Sequence, residues 1–437
     1  MRRLLAVLSL AAVFPGSPLP AQQRAAPSGP LTLIGAIELG RRQGVAAAIA
    51  RLGVRAAESR VAQRRADLLP TVNGAASVTH QTRNLDELGI PVVRGVSEPF
   101  DIYALQLRVS QTLFDGSAIA RLRAARDTAL AAGLDAQAVG EIAGATAGLA
   151  YLTVLSARET VRAREADSAV AAALLDEARQ RVAAGISPAI DATRSDVSFA
   201  SVRTQLEVAR NATDRAALDL VRALDLPSGT RLELADSLGP VLSDLPLEPE
   251  AAAAYAREHR AEVAAERSRT AAVGRSLRAI RYENLPTLSL NGAYQQTARQ
   301  LGDLGGSYNL QLLLSVPILD GFRRPSRARE QQARLEIQEL RERDATNQVE
   351  IEARQAVLDL ASARQQVAIA GERLVLAEQE LAQAEERFQA GVAGSVETTT
   401  AQGSVIAARD ALIQARLNNG SARLRVYRAL GVLEQLR

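Results

Sequence analysis

The chain has 437 residues, of which 52 are basic and 49 acidic, leaving a formal charge of +3. That balance gives no strong positive field to draw nucleic acid. All the basic residues are Arg, so a phosphate loop built on Lys is excluded. Zero Cys rules out disulfides, thiolate metal sites and cysteine nucleophiles, and two His leave little room for imidazole chemistry. Aromatic residues are only 3% while apolar ones reach 47%, mostly Ala, Leu and Val interleaved with Arg, Glu and Gln. Such a mixture predicts long, closely packed helices with thin apolar interfaces in place of a conventional core.

In chain order, Arg2 and Arg3 followed by the apolar run Leu4 to Phe14 and then Pro18 to Ala21 read as a secretory signal, cut after Ala21. With no cysteine to follow, no lipid anchor is expected on the mature N-terminus. Beyond it, charges break every Ala-rich stretch, so no 18-residue apolar span is expected. An exported chain without a spanning helix is either soluble or part of a β-barrel.

Self-comparison divides the rest into two copies of one unit. Tyr103 to Gly116 aligns without gaps on Tyr308 to Gly321, with seven of 14 positions identical at an offset of 205. Arg181 to Asp191 aligns on Arg387 to Glu397 at an offset of 206, and Leu69-Pro70-Thr71-Val72 on Leu285-Pro286-Thr287-Leu288 at 216. Three ordered matches mark a duplication: residues 22–225, a Pro-rich linker 226–250, and residues 251–437.

Each copy opens with a helical stretch, 33–67 or 251–283, and then alternates with a period of two. Strands are predicted at 71–80, 103–114, 287–297 and 308–319, each with one apolar and one polar face, Gln111 being a polar exception on its apolar face. The pattern suits strands that face lipid on one side, the alternative being half-buried strands of a soluble sandwich. Four strands cannot close a lumen, since the smallest membrane barrels use eight. Three chains would supply twelve.

From Gly116 and Gly321 helices run uninterrupted to glycines at 185 and 391. At 1.5 Å per residue each is roughly 100 Å long. Gly185 suits a left-handed C-cap, and Ser187-Pro188 an N-cap with Pro in the first helical position. Return helices at 189–225 and 396–430 complete two helical hairpins, with tips at 185–188 and 391–395.

The paired Leu-Pro-Thr openings, Leu113-Phe114-Asp115-Gly116 with Ile318-Leu319-Asp320-Gly321, and the two tip motifs together resemble the TolC family of outer membrane efflux channels, over nearly the whole mature chain. The resemblance implies a mainly α fold with a small membrane β part, three protomers sharing a twelve-stranded β-barrel that continues into a twelve-helix α-barrel. It implies a passive duct in the outer membrane of a Gram-negative-type cell, serving tripartite efflux or type I secretion. Its partners would be a homotrimer mate, a periplasmic adaptor (membrane fusion) protein, an inner-membrane transporter reached through it, and outer membrane lipid. No enzyme activity, cofactor, metal or nucleic acid is expected.

Carried over by position, the family's pair of acidic constriction residues falls on Glu397 and Thr400, so one acidic ring is missing; Asp191 is the first-half counterpart of Glu397. Either acid could instead simply stabilise a helix N-terminus. Phe388 and Ala393 stand where relatives carry polar latch residues. Arg181, Gly185, Ser187, Pro188, Arg387, Gly391 and Ser395 would form the adaptor-docking tips. His80 and His259 read as surface residues, Gly302 to Gly306 as a hairpin loop, and Arg323, Arg324, Arg327 and Arg329 as a basic group at the membrane boundary, in contact with lipid headgroups or simply solvated. The competing class is an exported coiled-coil scaffold without channel activity, which leaves the recurring strands unexplained.

Overall fold

The computed structural model describes residues 29–85, 95–239, 242, 248–300 and 305–433; the signal segment lies outside them. The first copy runs α1 (Leu33–Gln43), α2 (Val45–Ala66), β1 (Thr71–Gln81), β2 (Phe100–Phe114), α3 (Gly116–Ala183) and α4 (Ala189–Ala223). The second runs α5 (Pro249–His259), α6 (Ala261–Tyr282), β3 (Thr287–Ala298), β4 (Gly305–Ser315), α7 (Arg323–Gln389) and α8 (Ser395–Leu430). The fold is mainly helical, with one antiparallel sheet ordered β1-β2-β3-β4.

Both opening helices, expected as single stretches, are broken. Gly44 takes φ −50° and ψ 137°, and Arg260, 216 positions on, takes φ −70° and ψ 127°. A Cβ at residue 44 would lie 2.6 Å from the Gly40 carbonyl oxygen, so the break in the first copy admits glycine alone. In the second copy the Arg260 guanidinium donates to the carbonyls of Ala429 (3.2 Å) and Arg428 (3.5 Å), capping the end of α8. Local periodicity carries no trace of either cause.

Strand bounds differ from the alternation chiefly at β4, which stops at Ser315 in place of residue 319. Its partner β3 begins at Thr287, opposite Ser315, so residues beyond have nothing within the chain to pair with. Of the Gly-rich stretch expected as a loop, Gly305 and Gly306 open β4, and residues 302–304 are outside the described set.

A core does exist, contrary to the expectation from composition. It gathers mid-length, where α1, α5 and the linker pack on the long helices, and includes Ile37, Tyr151, Leu152, Leu220, Leu224, Val263, Leu360 and Leu424. Tyr151 is fully buried and donates its hydroxyl proton to either of two acceptors, the Leu31 carbonyl at 2.8 Å or the Asp236 carboxylate at 2.9 Å. That carboxylate also accepts from the N–H of Leu33 at 2.7 Å, so one linker residue caps α1 and ties it to α3. Glycines permit the close approach: a Cβ at Gly40 would lie 2.5 Å from the Ala147 Cβ, and one at Gly144 would lie 3.0 Å from the Ile37 carbonyl. One stretch of α3 is, by length and apolarity, sufficient to cross a membrane, an amendment to the expectation above; half of it is buried against these neighbours, as in a core helix.

Candidate functional site

Two regions carry the predicted features: the sheet and the helical tips. Register puts Val72, Val78, Tyr103, Leu105, Leu107, Val109, Leu290, Tyr294, Tyr308, Leu310, Leu312 and Leu314 on one face across all four strands. Most are exposed, Leu310 at 71% and Tyr308 at 85%. A face of that size is costly in water and stable against hydrocarbon. The opposite face carries Asn73, Ser77, Gln106, Arg108, Asn291, Gln295, Asn309 and Gln311, with Ser110 donating to the Asn291 side-chain oxygen at 2.8 Å. Gln111, the polar exception, donates to the carbonyls of Leu68 (2.9 Å) and Thr112 (2.8 Å), which satisfies its amide on the apolar side.

The few aromatics concentrate here. Phe100, Tyr103, Tyr294 and Tyr308 lie toward the outer end of the sheet, and Phe114, Tyr282 and Phe322 at the helical end. An irregularity between Thr112 and Phe114 places Phe114 opposite Leu288, on the apolar face. Two aromatic belts flanking an apolar band match a transmembrane strand layer.

At the boundary below the sheet, Arg324 binds Asp320 (2.7 Å) and the Asn284 side chain (2.9 Å), and Arg327 binds Glu283 at 2.7 Å. These two arginines of the basic group are thus engaged within the chain. His80 pairs across the hairpin with Asp101 at 2.8 Å, and His259 stacks on Tyr255 at 3.9 Å. Among the described residues no group of imidazoles and carboxylates is arranged to hold a metal ion.

Both tips are built by the same backbone motif. Gly185 (φ +73°) and Gly391 (φ +75°) are left-handed. Their N–H groups bond to the carbonyls of Val182 and Phe388, and the next residues bond to Arg181 and Arg387, closing Schellman turns. The predicted cap at Ser187 is displaced by one residue: Pro188 holds the N-cap position of α4, with no side chain capping it. In the second tip Gly394 is the N-cap and Ser395 opens α8.

The side chains divide by direction. Asp191 is buried and accepts from the Ser395 hydroxyl at 2.6 Å, joining the first tip to the second. Arg181 reaches across to the second tip, its guanidinium 4.6 Å from the centre of the buried Phe388 ring and 3.4 Å from the Gln389 carbonyl. Phe388 is therefore the floor of a cation–π contact between hairpins. Glu397 is exposed and pairs with Arg387 at 2.9 Å; Thr400, also exposed, donates to the carbonyl of Val396. An open groove of about 740 Å³ rises from the tips between α4 and α8, lined by Val197, Val202, Val396, Thr400 and Ile406 among others.

Sequence reading missed a buried ionic network further up the hairpins. Arg164 binds Asp167 at 2.7 Å and also Asp410; Arg409 binds the other oxygen of Asp167. Burial pushes the Asp167 carboxyl up, against the pull of both guanidiniums. The network joins α3 to α8 across the two copies. Its members sit 242 or more residues apart in part, so no spacing rule could have paired them.

An open sheet with one lipid-suited face, standing on helical hairpins about 100 Å long, is the architecture of a membrane channel protein with a helical extension. Comparison with known proteins agrees. The family model of the outer membrane efflux protein matches residues 37–225 and again 253–432, once per copy. The chain belongs to the outer membrane efflux protein family, a family of outer membrane channel proteins. Solved structures share the fold. CusC, described for transmembrane channel formation, is 17% identical, covering 91% of both chains at a TM-score of 0.80. VceC of Vibrio cholerae is 18% identical over 91% of this chain and 96% of its own (TM-score 0.79). The open state of MtrE from Neisseria gonorrhoeae is 18% identical over 91% and 88% (TM-score 0.78). No curated protein matches the chain.

Proposed function

We propose that three copies of the chain close one twelve-stranded barrel in the outer membrane and one helical tunnel below it. The tunnel forms a passive export duct in a tripartite efflux or type I secretion assembly. The observation that carries this reading is the open sheet. Strand β4 is exposed along its whole length and β1 everywhere but at Gln81, and neither has an outer strand partner among the described residues, yet the face they share is apolar. An unpaired edge in hydrocarbon leaves a row of N–H and C=O groups without partners, so the sheet must be completed by other chains. Because β1 and β4 run antiparallel to each other, the next copy's β1 continues the alternation beside β4.

At the tunnel tip, Glu397 and Thr400 line the periplasmic entrance, with Asp191 holding the two turns together behind them. Arg387 neutralises Glu397 and weakens the cation preference that an acidic ring would give. A periplasmic adaptor, itself bound to an inner-membrane transporter, docks on the turns. Arg181 and Ser395 are used within the protomer. The docking surface is accordingly narrowed to Gly185, Ser187, Pro188, Arg387 and Gly391, together with Ile186 and Val392, which are 68% and 69% exposed.

Light scattering of the detergent-extracted protein should give the mass of three chains, and planar bilayers should show conductance. A monomer recovered without detergent would sink the duct and revive the scaffold. In the same bilayers Glu397→Ala should lower cation preference and Arg387→Ala should raise it. Unchanged reversal potentials in both would remove the pair from the ion path.

A further inference from the structure

We propose that the junction between β2 and β3 inside the chain is the template for the junction between β4 of one copy and β1 of the next, and that it fixes the intermolecular register at Leu313 opposite Ser77. The inference rests on the trimeric reading and adds to it a residue-by-residue pairing.

The warrant is that the duplication is geometrically faithful. In the first hairpin Val72 pairs with Val109. Shifting these by the sequence offsets of 216 and 205 gives Leu288 and Leu314, which pair in the second hairpin. Thr71 opposite Ser110 likewise becomes Thr287 opposite Ser315. The helix break obeys the same offset, Gly44 becoming Arg260. Two copies with identical internal registers meet once within the chain, at β2 and β3. A ring built from such copies alternates this junction with its intermolecular equivalent.

Carrying β2 forward by 205 and β3 back by 216 converts Arg108 opposite Ala293 into Leu313 opposite Ser77 of the neighbouring copy. Gln106 with Gln295 becomes Gln311 with Thr79, and Ser110 with Asn291 becomes Ser315 with Ala75. Phe114 opposite Leu288 becomes Leu319 opposite Val72, which covers a side chain now 80% exposed. The transferred irregularity between Thr112 and Phe114 falls beside Pro317, and bulges are among the few places where a strand accepts proline. Strand β4 would thereby extend past Ser315 once its partner is present.

The helices beneath give an independent sign. Positions buried in α6 but exposed at their α2 counterparts are those whose cover the single chain lacks. Ala265 is fully buried, and its counterpart Ile49 is 64% exposed. Ala272 is 7% exposed while its counterpart Ala56 lies open. By contrast Val263 and its counterpart Ala47 are both buried, at 0% and 1%, so that face of each helix is already covered within the chain. In the ring, α7 of the neighbouring copy takes the place against α2 that α3 takes against α6.

The chain has no cysteine, so an introduced pair is unambiguous. Three double variants are compared in detergent-extracted protein: Leu313→Cys with Ser77→Cys, and the same Leu313→Cys with Ala75→Cys or with Thr79→Cys. Strands β1 and β4 of one chain are three strand spacings apart, about 14 Å, too far for a disulfide within the chain. Oxidation should convert the Ser77 pair to a reducible covalent trimer and leave the shifted pairs at least several-fold less cross-linked. Preferential cross-linking of either shifted pair, or none at any pair in a protein whose mass is that of three chains, overturns the register and leaves the trimer standing. Absence of cross-links from a protein whose mass is that of one chain overturns the trimer as well.

Discussion

At the scale of the residue, two buried polar contacts make quantitative demands. The Tyr151 hydroxyl serves Leu31 and Asp236, and burial, with the Asp236 carboxylate beside it, pushes the phenol up well beyond its ordinary range. Tyr151→Phe keeps the ring but leaves those acceptors short of a donor, and should cost about 1–3 kcal/mol in denaturant unfolding of the purified protein. A change below about 0.5 kcal/mol would mean that water replaces the hydroxyl. Glu262 makes two contacts with Arg260, at 2.7 and 2.9 Å. Burial opposes its ionisation, but the guanidinium outweighs burial and holds the carboxyl below its ordinary 4.5. A carboxyl lowered by folding stabilises fully above its unfolded value and loses that stabilisation as pH falls toward the folded one. Stability should therefore fall with acid below about pH 4.5, and Glu262→Gln should flatten that slope while lowering stability at neutral pH. An unaltered slope would show that other carboxyls govern the acid limb.

At the scale of the element, helical propensity gives no reason for the glycines of α1 and α3. Packing explains them. Gly40 sits where an added Cβ would meet the Ala147 Cβ at 2.5 Å and the Ala143 carbonyl at 2.9 Å, atoms that cannot move without shifting backbone. Gly40→Ala raises intrinsic helix propensity yet should destabilise by about 1–3 kcal/mol through overpacking. Thermal unfolding monitored by circular dichroism separates these opposite signs. Elements themselves were readable because period two and period 3.6 are local properties. The tip glycines at 185 and 391 were readable too, since a left-handed turn between helices selects glycine strongly. The breaks at Gly44 and Arg260 were not, because one is set by a neighbouring carbonyl and the other by the end of a helix 168 residues away.

At the scale of the whole molecule, the sheet's apolar face is the feature that commits the protein to a membrane. Leu312 lies between Leu310 and Leu314 on that face, opposite Leu290. Leu312→Arg should weaken the assembled barrel by about 2–4 kcal/mol per chain if the position lies near the bilayer midplane. The heat needed to dissociate the proposed trimer on gels would report it. Gln311→Arg, one residue along on the polar face, should leave the dissociation temperature within a few degrees; equal losses at both positions would mean that neither face meets lipid.

The sequence by itself determined the duplication, the alternating strands, the length of the hairpins and the position of their turns. All of these are written in neighbouring residues, and the repeat supplied a second reading of each. Tertiary structure decided what meets what. It joined the copies through β2 and β3, gathered a core around Tyr151, and turned Asp191 and Arg181 inward while leaving Glu397 beside Arg387 at the surface. It also brought Arg164, Asp167, Arg409 and Asp410 into one buried network. The physical reason is that periodicity fixes which face of an element is apolar, while the partner of that face depends on the path of the whole chain. A buried charge or a close glycine contact is defined only once two distant elements are pressed together.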